Sequence, residues 1–156
     1  MAKGFSLVEV LVSMAVIATG AAGLAELFVL SSRLTQASRI DTVATFAAAS
    51  KMAELRALSF TWNPAGAPVT DAQLAASPAG SLWSDTAGCA DFIDGSGHVL
   101  AVGAPRAQAV YVRRWQIQPL AADPANALVL QVTSAPVTRP GARDVRLVSI
   151  LARTAQ

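Results

Sequence analysis

The chain runs as far as Pro64 before it meets a proline, and between Phe5 and Leu30 its only charged side chains are Glu9 and Glu26. Inside a helix, proline costs about 3 kcal/mol and glycine about 1 kcal/mol; only Gly20 and Gly23 stand between Phe5 and Trp62. One long N-terminal helix is therefore the simplest structure open to these residues. As helix, residues 5–30 would rise about 39 Å, more than the roughly 30 Å hydrocarbon core of a bilayer.

After Leu30 the composition changes but the helical period persists. Leu34, Ala37, Ile40, Ala44, Ala47, Ala48, Met52, Leu55 and Leu58 recur at steps of three and four, while Arg33, Gln36, Arg39, Ser50, Lys51 and Glu54 take much of the remaining surface. The pattern predicts a helix with a lipid-compatible first half and an amphipathic second half, about 80 Å in all. Its apolar stripe needs a surface to lie on. The runs 110–119, 128–134 and 145–153 are rich in Val, Ile, Tyr and Trp and are separated by turn-forming segments. They predict an antiparallel meander. Tyr111, Trp115 and Ile117 share one face of its first strand, Leu128, Leu130 and Val132 one face of its second, and either set suits the helix. Residues 98–102 predict a fourth strand. Residues 61–97, rich in Pro, Gly, Ala, Ser and Asp, read as a long connecting loop with little regular structure.

The bulk composition bounds what such a chain can do. At 156 residues there is room for one anchor and one small domain. Hydrophobic residues make up 53% and charged ones 14%, with a net charge of +2 that drops by one if Lys3 is removed. That balance indicates no basic patch, and so no nucleic-acid partner. Cys89 is the single cysteine, so packing rather than an intrachain disulfide must hold the fold.

Glu9 decides between three readings of the N-terminus. A charge at the centre of a membrane helix costs roughly 2.5 to 3.5 kcal/mol, so a plain transmembrane anchor accounts for the length of the run but not for the acid. A cleaved secretory signal, cut near Ala18-Thr19-Gly20 or Ala21-Ala22-Gly23, would put Glu9 inside its apolar region and leave the helical pattern continuing past the cut. The third reading rests on Gly4-Phe5-Ser6-Leu7-Val8-Glu9 behind Lys3, which resembles the processing signal of type IV prepilins. The resemblance implies a membrane aspartic peptidase that cuts between Gly4 and Phe5 and methylates the new N-terminal Phe5. The residue types suit that chemistry. Gly4, lacking a Cβ, lets the backbone enter a protease extended. The freed Phe5 amine is a cation, and two unit charges 4 Å apart attract by roughly 4 kcal/mol at an effective dielectric of 20, on the scale of the cost of burying Glu9. A neighbouring subunit's amine can thus offset that cost and set the axial register between subunits.

The likeness extends further along the helix. Gly20, Gly23, Leu24 and Ala25 stand as they do in the V-type minor pilins of type IV pili, and Ala49-Ser50-Lys51-Met52-Ala53-Glu54-Leu55-Arg56 resembles the segment that ends the long helix in those proteins and in the I-type pseudopilins of type II secretion. Glu26 stands where major pilins commonly carry a kinking proline, and the C-terminal cysteine pair of major pilins is missing. The fold implied is α+β and type IV pilin-like: leader 1–4, transmembrane and filament-core helix 5–30, amphipathic helix 31–60, loop region 61–97 and antiparallel sheet 98–156. The role implied is that of a minor pilin, inserted in the bacterial inner membrane with its C-terminal domain periplasmic and then drawn into a filament. Its partners would be prepilin peptidase, other major and minor pilins and the inner-membrane assembly platform, with no cofactor and no catalysis. Ala21, Ala22, Gly23 and Ala25 would let helices approach closely. Arg33 and Arg39 beyond the span oppose the positive-inside count against Lys3, although a long following domain translocates largely regardless of such charges. An I-type pseudopilin is the alternative, and a conventionally exported binding protein the second.

Other groups of chemical interest have structural readings. Asp91, Asp94 and His98 flank Asp94-Gly95-Ser96-Gly97, which suits a cation or, more simply, a hairpin turn. His98 is the only histidine, so no Ser-His-Asp or His-rich zinc set can be assembled. Cys89 reads as a small buried residue rather than a nucleophile. Trp62, Trp83 and Trp115 are expected to pack loop and sheet, a surface-binding role being the alternative. Arg113 and Arg114, adjacent on a strand, point to opposite faces and make a poor anion site.

Overall fold

A computed structural model of the chain describes residues 6–101, 105–138 and 144–155. Among these described residues one α-helix, α1 (Leu7–Ala57), is followed by seven strands: β1 (Phe60–Trp62), β2 (Pro68–Thr70), β3 (Ala90–Ile93), β4 (Tyr111–Pro119), β5 (Ala127–Pro136), β6 (Val145–Ala152) and β7 (Thr154–Ala155). The chain divides into two compact units, Met1–Arg39 and Ile40–Gln156.

In the first unit every described residue is exposed. Its helix includes a window long and apolar enough to cross a membrane, none of it buried. The hydroxyls of Ser13 and Thr19 donate back to the carbonyls of Glu9 and Ala15, four residues earlier. Polar side chains in this stretch thereby satisfy themselves on their own helix, which is what a lipid environment demands of them.

In the second unit α1 buries Ala44, Ala47, Ala48, Lys51, Met52 and Leu55. The surface they cover is a four-stranded antiparallel sheet ordered β3-β4-β5-β6. Register puts the core side chains in rows: Trp115 beside Val132 and Leu147, Ile117 beside Leu130, and Leu128 beside Leu151. Both residue sets expected to suit the helix are therefore used: Trp115, Ile117, Leu128, Leu130 and Val132 share one core with Ala48, Met52 and Leu55, and Tyr111 joins a second with Ala44, Ala47 and Ile93. Small and large residues alternate across the contact: the alanines at 44 and 47 face Tyr111 and Ile93, so the helix backbone can approach where the sheet is bulky. The outer edge of β4 is closed by β3 over half its length and by Ser77 and Cys89 over the rest, through Ser77 N–H to Ile117 O at 2.9 Å and Trp115 N–H to Cys89 O at 3.0 Å.

A second sheet orders β2-β1-β7, with β1 and β7 parallel. Arg153, between β6 and β7, ties the two sheets together. Its Nη1 donates to the carbonyls of Thr61 (3.0 Å) and Val69 (2.9 Å), its Nη2 to Thr70 Oγ1 (3.0 Å), and its guanidinium lies 4.0 Å from the Phe60 ring centroid. Its own N–H bonds Asn126 O at 2.8 Å. One side chain thus contacts Phe60, Thr61 and Trp62 of β1 and Val69 and Thr70 of β2.

Four expectations need correction. The stretch 61–97, expected to hold little regular structure, contains the β1–β2 hairpin, a 3-10 turn at Ala72–Leu74, and β3. The hairpin turns through Asn63, whose Oδ1 accepts from Ala67 N–H, and Gly66 at φ 77°. Second, the fourth strand of the main sheet is Ala90–Ile93, not 98–102; Val99 makes only an isolated bridge to Ile93, and Val102 lies outside the described residues. Strands of three or four residues carry too few alternations to be seen in sequence. Third, Lys51 is buried rather than solvated. Its ammonium sits 4.1 Å from the Trp115 ring centroid and 2.8 Å from Glu54 Oε1, so the charge is paired although the stem is in the core. Fourth, Trp83 is exposed and does not pack the sheet, while Leu34 and Ala37 of the predicted stripe are exposed as well.

Candidate functional site

Glu9 lies in the first turn of α1, where Ser6 O accepts from the N–H groups of Glu9 (3.0 Å) and Val10 (3.2 Å). A helix N-terminus favours a carboxylate, by typically 0.3 to 1 kcal/mol, which falls well short of the 2.5 to 3.5 kcal/mol that intramembrane charge costs. Among the described residues the Glu9 carboxylate makes no ion pair or side-chain hydrogen bond. Its neighbours Leu7, Val8, Val10, Leu11 and Val12 are all exposed. The geometry among the described residues is an acid presented on an exposed apolar stretch of helix. Gly4 and Phe5, the expected processing site, lie outside the described residues.

The remaining candidates separate. Asp94 Oδ1 accepts from Ser96 N–H (2.8 Å) and His98 N–H (2.9 Å), and Gly97 takes φ 88°, so 94–98 is a tight turn. The His98 N–H, foremost, holds the Asp94 carboxyl below its ordinary value. Asp91 points away from this turn to Arg113, its direct cross-strand partner. No group of three His, Cys, Asp or Glu placed to hold a metal occurs among the described residues.

Arg113 and Arg114 do take opposite faces. Arg113 is buried beneath α1, donating to Asp91 and, at 3.1 Å, to Ala47 O, while Arg114 reaches Asp85 at 2.7 Å. Asp85 also pairs with Arg106, which lies over the Phe92 ring. These cations are engaged internally, which leaves little for an anionic ligand. Cys89 is buried in the main core. Trp115 is buried under Lys51, Trp62 is half-buried near Arg153, and Trp83 is exposed.

Sequence reasoning missed Arg153 and Asp85, since neither stands in a local pattern that announces its partners 21 to 92 residues away. What could have been found is the Arg113–Asp91 pair, because a charge on the buried face of a strand calls for an opposite charge on the neighbouring strand.

Comparison with known proteins matches residues 1–25 to a family model described as Prokaryotic N-terminal methylation motif. No curated protein and no solved structure matches the chain. The match covers the exposed start of α1 that carries Glu9, on a helix long and apolar enough to cross a membrane. With the long helix packed on antiparallel sheet, this motif supports a type IV pilin-like protein, a pilin or pseudopilin substrate of prepilin peptidase.

Proposed function

We propose that the chain is a minor pilin of the V type, cut between Gly4 and Phe5, N-methylated on Phe5, and incorporated into a type IV pilus whose assembly it starts or modifies. The observation that carries this is Glu9, a carboxylate with no ion-pair partner among the described residues, on the exposed apolar start of α1 within the matched motif. The Phe5 amine of a neighbouring subunit supplies the missing countercharge. Before assembly the helix sits in the inner membrane with the head domain periplasmic. Partners are prepilin peptidase, other pilins and the inner-membrane assembly platform.

N-terminal mass spectrometry of the native protein, followed by fractionation of sheared filaments, tests the reading. The expected mature chain starts at N-methylated Phe5 and travels with pilin. Travel with a secretion pseudopilus would assign the I-type pseudopilin role instead, and a mature end near Ala21 would make the chain a conventionally exported protein. Glu9→Ala is expected to be cleaved normally yet to enter filaments about tenfold less, the effect of roughly 1.4 kcal/mol per subunit. Wild-type incorporation of that variant would refute the pairing.

A further inference from the structure

Arg113 is buried beneath α1 with two of its nitrogens engaged, Nη2 on Asp91 of β3 and Nη1 on the Ala47 carbonyl of α1. The remaining nitrogen, Nε, is shielded from solvent and has no hydrogen-bond partner among the described residues. Directly opposite Arg113 in the β4–β5 pairing stands Ser134, fully buried, and its Oγ is likewise without a partner. Backbone hydrogen bonds show what kind of pair this is. Leu120 N–H donates to Ala127 O and Val137 N–H to Val110 O, so even-numbered residues of β4 exchange bonds with β5. Arg113 and Ser134 therefore form one of the intervening pairs, whose Cα atoms approach to about 4.5 Å with both side chains on one face. A buried donor and a buried hydroxyl left unmade side by side are expensive, and folds rarely keep them so.

We infer that Arg113 and Ser134 bind one water molecule between them, which accepts from Arg113 Nε–H and donates to Ser134 Oγ. The guanidinium is drawn away from Ser134 by its other partners: Asp91 lies on β3, on the side of β4 away from β5, and Ala47 lies on the helix. Ser134 is fixed on β5 with a side chain too short to follow. A water about 2.9 Å from each atom spans a separation of up to about 5.8 Å. Charge balance selects water over an ion. Asp91 already offsets Arg113, so a chloride would bring an uncompensated charge into the core, and a metal cation would face the guanidinium. The result is a polar hub under the helix, in which Arg113 joins β3 and α1 directly and β5 through the water. This hub belongs to the head and stands whether or not the chain enters a filament.

A crystal structure of the full-length chain in detergent, grown once without halide and once in bromide, tests the site. The expected result is a density peak about 2.9 Å from both Arg113 Nε and Ser134 Oγ in both crystals, without anomalous signal for bromide. Anomalous signal at that position would make it an anion site, and a direct Nε–Oγ hydrogen bond or a gap without density would leave no bound water; each of these overturns the assignment. In solution, Ser134→Val puts a methyl group where the water sits. Solvent exchange of the Arg113 Nε–H, followed by NMR on isotope-labelled arginine, should rise about tenfold in that variant, while Ser134→Thr, which keeps a hydroxyl, should stay within about twofold of the natural chain. Equal rates in Ser134→Val and the natural chain would also overturn it, and should Ser134→Val fail to fold, the two crystals decide.

Discussion

The two stretches of α1 share a backbone conformation and differ in almost everything else. Before Arg39 the helix exposes Leu, Val, Ile and Phe on all sides; from Ile40 it buries one stripe built largely of alanine. The richer apolar surface is the one with no internal partner. Hydrophobicity alone therefore does not say where a core will form: the first half is apolar all round, as suits lipid or a bundle of like helices, while the second half is selective because the sheet under it is bulky. A corollary is that damage to one half should be invisible to the other.

Leu130→Ala would break the head most severely. Leu130 is fully buried in the main core, and such truncations cost about 2 to 5 kcal/mol. Chemical denaturation of the full chain in detergent, followed by the fluorescence of buried Trp115, should show this, whereas Leu11→Ala should leave the same transition within about 0.5 kcal/mol. An equal effect from both would abolish the contrast.

Arg113→Ala comes next. It leaves Asp91 and the Ala47 carbonyl without their donor, and the expected loss is about 3 kcal/mol, the low end for a broken buried pair because Asp91 keeps some contact with water. Restoration by Asp91→Ala in the same background would confirm that the unpaired acid is the cause.

Arg153→Gln should cost about 1 to 2 kcal/mol and act locally. Faster amide exchange is expected across β1 and β2 with β4 and β5 unchanged; global loss of protection would mean that Arg153 holds the core and not the seam between sheets.

The smallest effect belongs to Asp94. Its carboxyl is depressed by the His98 N–H, so its contribution is fully present above the ordinary value of 3.8 and is lost as pH falls through the lowered one. Exchange at the Ser96 and His98 amides should accelerate below about pH 4. Asp94→Asn, which keeps an acceptor but does not titrate, should flatten that dependence.

Much of this was legible in the order of residues. The helix, the three long strands and the Asp94 turn follow from proline spacing, alternation and Asp-Gly chemistry, all of which act over a few residues. Glu9 stood out because a charge in an apolar run is costly wherever the chain goes. β1, β2 and β3 were hidden because each is three or four residues long and exists through its partner. Lys51 was misplaced for a related reason: its charge marked it as solvated, and only the Trp115 ring and Glu54 across from it make burial tolerable.

What the sequence determined by itself is a continuous helix with an acid near its start and an N-terminal motif around it, because helix propensity, the absence of proline and the cost of a lone carboxylate are properties of neighbouring residues. What the tertiary structure decided is which charges are satisfied. Arg113 finds Asp91, Arg153 gathers β1 and β2, and Glu9, Glu26 and Arg33 find no ion-pair partner among the described residues. Pairing depends on distances between residues far apart in the chain, and those distances exist only once the sheet has closed beneath the helix.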